Sequence, residues 1–131
     1  MKSSVIALAA AILLGGANPA ALASDHGGGG GGPSPMKFVT NLPSARGDRY
    51  LMVDLVLEAA SPEVEHEIAG HLPKIQHRII LLLSAVQDEK LRTVAGKNEL
   101  ADMIQTEVNK LLHSDARKGV KDVLFTNFII Q

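Results

Sequence analysis

The unbroken glycine run Gly27–Gly32, closed by Pro33-Ser34-Pro35, decides how much of this chain can fold. Glycine loses more backbone freedom on ordering than any other residue, and the prolines that follow remove amide donors. A phosphate-binding loop needs spaced glycines followed by Gly-Lys-Ser/Thr and a helix start; none of that follows here. Residues 24–35 are therefore a flexible linker. Roughly 95 of the 131 residues remain, from Met36 to Gln131, enough for a single modest core.

Ahead of the linker, Lys2 is followed by the apolar stretch Val5–Leu14, then Gly15, Gly16, Asn18 and Pro19, then Ala21-Leu22-Ala23 before Ser24. A charged start, a short apolar centre and a small-x-small end make a secretory signal peptide over residues 1–23. The competing reading is an uncleaved membrane anchor, but a span needs about 20 apolar residues, and this run is about half that. Removing Lys2 with the leader leaves 12 basic against 14 acidic residues. That balance excludes a domain built to neutralise phosphates, and offers no polybasic patch to an anionic membrane. With no cysteine there is no disulfide, thiolate nucleophile or cysteine metal site.

Within the folded part, Met36–Asn41 is rich in β-formers and lies between Pro35 and Pro43, as a short edge strand does. Ser44-Ala45-Arg46-Gly47-Asp48 is a turn, and its Arg-Gly-Asp is ordinary turn chemistry rather than an adhesion motif. In Tyr50–Glu58, Leu51, Val53, Leu55 and Leu57 line one face, while Met52, Asp54, Val56 and Glu58 leave the other mixed and half covered. Ser61-Pro62 caps a helix whose apolar stripe runs through Val64, Ile68, Leu72, Ile75, Ile79 and Leu82 or Leu83 to Val86. Pro73 should kink it near His71 or break it in two. Gln87–Arg92 is a turn or a single helical turn. A last helix, from Val94 or Gly96 to about Leu112, carries Leu100, Met103, Ile104, Val108, Leu111 and Leu112.

The chain closes on Val120–Gln131. Strict alternation puts Leu124, Phe128 and Ile130 on one side and Val123, Phe125 and Ile129 on the other. Such a strand is covered on both sides, by helices and by something else, such as another subunit. The expected fold is a small α/β (α+β) domain: a long kinked amphipathic helix and a C-terminal helix on one face of a sheet that includes strands near 50–58 and 120–131. The helix-rich crossover favours parallel pairing of those two strands.

Catalytic chemistry finds no foothold. There is no Gly-x-Ser-x-Gly elbow and no carboxylate pair in an apolar loop, and Ser84 is a hydroxyl within a helix. His66, His71 and His77 are separated by five and six residues, which turns their rings to different sides of a helix, so they belong to a solvated face. A metal-carrying role for His26, His66 and His71 is the lesser reading. No metal, cofactor, nucleic acid or small-molecule substrate is expected.

The order of elements carries more. Residues 50–58 (YLMVDLVLE), Leu72-Pro73-Lys74-Ile75 leading into Ile79–Ser84, Leu91 through Gly96-Lys97-Asn98-Glu99-Leu100, and the closing Val123-Leu124-Phe125-Thr126-Asn127-Phe128-Ile129-Ile130-Gln131 together resemble the FliL family of flagellar basal-body-associated proteins. The closing V-L-F-T-x-F-x-x-Q is the most specific piece. The resemblance implies a periplasmic domain similar in fold to the stomatin/SPFH domain. It would be non-enzymatic, self-assembling, and placed beside a stator of the MotA–MotB type. It also implies that Leu124, Phe125, Phe128 and Ile130 lie in a protein-interaction surface. The family carries a basic cytoplasmic tail and a full transmembrane helix, whereas one lysine and a signal-peptide-like core stand here. That departure implies a soluble periplasmic variant, the alternative being an inner-membrane anchor with a periplasmic domain.

Overall fold

The computed structural model describes residues 33–131; the leader and the linker up to residue 32 lie outside the described residues. Strand β1 (Met36–Leu42) is followed by β2 (Arg49–Ala59), helices α1 (Pro62–Gly70), α2 (Leu72–Ala85), α3 (Asp88–Leu91) and α4 (Val94–Leu111), and strand β3 (Val120–Ile130). The sheet order is β1-β2-β3, antiparallel throughout, so the fold is α+β.

The antiparallel pairing of β2 with β3 corrects the parallel expectation, and its cause lies in the connection. Ala59 at the end of β2 faces Val120 at the start of β3, and the Ala60 N–H donates to the Gly119 carbonyl at 2.8 Å. The helical segment thus leaves the sheet and returns at the same end. A single crossing helix would carry the chain to the opposite end and impose a parallel neighbour. Here α1 and α2 carry it away and α4 brings it back.

The break at Pro73 is a full division. α1 ends at Gly70, and His71 has φ −110° and ψ 12°, outside the helical range, before α2 starts at Leu72. Proline at the first turn of α2 lacks a donor where none is needed, so the residue that interrupts one helix begins the next. Ser61 Oγ caps α1 by accepting from Val64 N–H at 3.4 Å. Thr93 Oγ1 caps α4 by accepting from Gly96 N–H at 3.0 Å and donates back to the Lys90 carbonyl at 2.9 Å.

One face of the sheet meets the helices. Leu51, Val53, Leu55 and Leu57 of β2 are buried, as the alternation requires, against Ile75, Ile79 and Leu83 of α2 and Leu100, Ile104 and Val108 of α4. Met103 is the exception to the expected α4 stripe, because it lies on the exposed side. Two buried polar devices hold the assembly. Asn109 of α4 accepts from Val120 N–H at 2.7 Å and donates to the Val120 carbonyl at 2.9 Å, imitating the backbone neighbour that the first residue of β3 lacks on that side. Asp88 of α3 is 1% exposed. Its backbone N–H donates to the Pro43 carbonyl at 3.2 Å, and Arg92 pairs with its carboxylate, Nη2 donating to Oδ2 at 3.3 Å while Nε stands 2.8 Å from Oδ1.

Candidate protein-interaction surface

Helices cover a single face of the sheet, so the second face is bare among the described residues. Of the nine exposed large apolar side chains there, five occupy this face: Val39, Tyr50, Met52, Leu124 and Ile129. The register sets them in rows. Val39, Met52 and Ile129 stand side by side across the three strands, with Tyr50 beyond Met52 on β2. Val56 and Leu124 form a second apolar band. Between the bands lies the polar row Lys37–Asp54–Asn127. Exposed apolar groups scattered singly need no explanation, whereas these are gathered on one face of the sheet, in two bands either side of the polar row.

The strand that carries the expected interaction residues departs from strict alternation. Asp54 faces Asn127 while the next residue, Leu55, faces Phe125, leaving Thr126 as an extra residue in β3. The ladder shifts again between Glu58 and Ala59, where Lys121 is extra. Each bulge inserts one residue and so reverses which side the following residues face. Phe125, Phe128 and Ile130 therefore share the helix-covered face, half-buried against the core, where alternation had placed Phe125 opposite the other two. The Phe125 and Phe128 rings meet edge to face with centroids 5.3 Å apart. Leu124 alone of the four projects from the bare face, 43% exposed. The outward set that alternation missed, Val39, Tyr50, Met52 and Ile129, had a partial signal in the mixed second face of residues 50–58.

The other candidates resolve into local structure. Ser84 Oγ donates to the Ile80 carbonyl at 2.7 Å and lies 2.8 Å from Thr40 Oγ1, which ties α2 to β1. Gly47 takes φ +101° in the Arg-Gly-Asp turn, a conformation glycine supplies without strain. His66, His71 and His77 are exposed, and no group of three or more His, Cys, Asp or Glu side chains suited to a metal gathers among the described residues. His26 lies outside them. Two carboxylates are held below their ordinary range. Glu63 is stabilised by its own backbone N–H and then by Ser61, and Asp115 by the backbone N–H of Arg117 and then of Lys118. Both belong to caps and turns on the surface.

Residues 34–131 match the family described as flagellar basal body-associated protein FliL. The chain belongs to the FliL family. Flagellar protein FliL of Aquifex aeolicus is 30% identical over 94 residues, covering 72% of this chain and 56% of the relative. Flagellar protein FliL of Escherichia coli K12 is also 30% identical, over 105 residues, covering 76% of this chain and 67% of the relative. Flagellar protein LafL of Vibrio parahaemolyticus is 26% identical over 100 residues. The match with the Aquifex protein thus spans little more than half of that relative's length. The FliL match takes in the whole three-stranded sheet, including its bare face. No helix among the described residues is long and apolar enough to cross a membrane. Family membership places the chain among proteins described as flagellar and basal-body-associated.

Proposed function

We propose that this FliL-family chain is a non-enzymatic accessory of the flagellar motor that supports a MotA–MotB-type stator through protein–protein contacts in the periplasm. It acts as a self-assembled oligomer, exported by residues 1–23. The observation that carries the reading is the bare apolar sheet face centred on Met52, Leu124 and Ile129. A domain with helices on one face and apolar rows on the other buries the second face in an assembly. In this reading the domain acts by contact, without a metal, cofactor or substrate.

The test is an affinity pull-down of the native protein from cross-linked cells, with mass spectrometry of partners and of the N-terminal peptide. Stator or basal-body proteins in the eluate support the reading, and a chain beginning at Ser24 supports export with cleavage. An eluate without motor proteins overturns the motor role and favours a scaffold of another envelope complex on the same fold. Phe125→Asp or Phe128→Asp would damage the half-buried core side. The matched variant is therefore Leu124→Asp with Ile129→Asp, which alters the bare face alone. Normal oligomers and motility in that folded double variant would refute the proposed surface.

A further inference from the structure

The end of the domain far from the Ala59–Val120 junction holds a cleft of about 280 Å³ walled by Leu91, Arg92, Lys97, Phe128 and Ile130. Its floor is apolar and its remaining walls are cationic. Lys97, in the first turn of α4, is half-buried, with its ammonium 5.0 Å from the centre of the Phe128 ring. Lys97, like most of the described lysines and arginines, is in no salt bridge, so its charge is available to a ligand. Arg92 spends one edge on Asp88 but keeps 47% of its side chain exposed. Arg49 is at the same end, two positions before Leu51, which faces Ile130; its Nε is buried without a partner. Three cationic residues thus stand at this corner with Asp88 as the buried counter-charge, in a chain whose net charge is −1. The Phe128 ring face holds the Lys97 stem and ammonium at the mouth of the cleft.

We propose that this cleft docks an acidic segment of a partner protein. A carboxylate sits between Lys97 and Arg92, and a neighbouring apolar side chain lies on Phe128 and Ile130. The apolar floor beside two cations favours a mixed acidic and apolar peptide over a lipid headgroup, and the near-neutral chain lacks the clustered basic residues that hold a protein to an anionic bilayer. The inference rests on the reading that this domain works through protein contacts, but not on the motor as its setting.

The test uses the full chain and two probes: an acetylated, amidated peptide of alternating Glu and Leu, with its Gln-for-Glu counterpart, and phosphatidylglycerol vesicles. The Glu peptide binds, weakens with added salt, and shifts the amide resonances of Leu91, Lys97 and Phe128. Lys97→Met keeps the stem over Phe128 and removes the charge, so binding falls about fivefold with the thermal midpoint unchanged, while Lys97→Arg retains it. Equal binding of the Gln peptide, resonance shifts confined to the bare sheet face, indifference to Lys97→Met, or Lys97-dependent vesicle binding would each overturn the proposal. These results are separate from the pull-down: a motor-protein eluate can stand while the peptide fails, and the reverse.

Discussion

Asn109→Ala is the most exacting probe of how this domain holds its last strand. The amide is 5% exposed and makes both of its bonds to one residue, accepting from Val120 N–H at 2.7 Å and donating to the Val120 carbonyl at 2.9 Å. Gln105 Nε2 also donates to that carbonyl, at 3.1 Å, so truncation leaves the carbonyl served and orphans the buried N–H alone. An unsatisfied buried donor costs about 1–3 kcal/mol, and the second lost bond brings the total to about 2–3 kcal/mol. With a urea slope of about 1 kcal/mol/M for a domain this small, the unfolding midpoint should fall by about 2 M. Asn109→Asp sharpens the test. The carboxylate can accept from Val120 N–H, but its second oxygen faces the Val120 carbonyl and is at ease only as a protonated donor. Its folded pKa rises above the unfolded value of about 3.9, so the folded state binds the proton more tightly. The variant should be near wild type in acid and lose stability as pH climbs from about 4 through the raised value. A loss under about 0.5 kcal/mol in Asn109→Ala, against the expected cost of the orphaned donor, or an Asp variant that is more stable at neutral pH than in acid, would refute this account.

Gly96→Ala should cost about 2 kcal/mol or more by chemical denaturation. A Cβ there would collide with the Lys90 backbone carbonyl, so α3 and α4 would have to part. Thr93→Ala should lose about 1 kcal/mol of thermal stability and Thr93→Ser much less, since the cap needs only the hydroxyl. Asp115 should titrate in nuclear magnetic resonance below the ordinary carboxylate value of about 3.9. Because its folded pKa is lowered, its contribution is present above the unfolded pKa and is lost as pH falls through the folded one; Asp115→Ala should remove that part of the acid sensitivity. Leu124→Asp with Ile129→Asp should leave the unfolding free energy of the dilute protomer within about 0.5 kcal/mol of wild type, because both side chains are exposed, while sedimentation at higher concentration shows smaller assemblies.

Much of the candidate surface was out of reach of periodicity for a specific reason. Alternation is reliable along β2 because its inward leucines and valine recur without interruption between Arg49 and Ala59. It fails along β3 because two extra residues, Lys121 and Thr126, turn the pattern over. Neither residue differs from an ordinary strand residue, so nothing local announces the bulge. The same holds for Asn109 and Asp88. A polar residue on a helix reads as solvated until a strand start or a loop carbonyl is brought against it.

The amino-acid sequence by itself determined the elements: the capped helix start at Ser61, the break at Pro73, and the apolar stripes that require helices on one sheet face. It also carried membership of the FliL family, through ordered motifs from Tyr50 to Gln131. Tertiary structure alone decided that β3 runs antiparallel to β2, that Phe125, Phe128 and Ile130 turn inward while Leu124 and Ile129 turn outward, and that Lys97 and Arg92 share one cleft. Propensity and periodicity act over one element's length. Strand direction, bulge position and the meeting of distant charges are set by how a returning chain fits the ladder and the helices already in place.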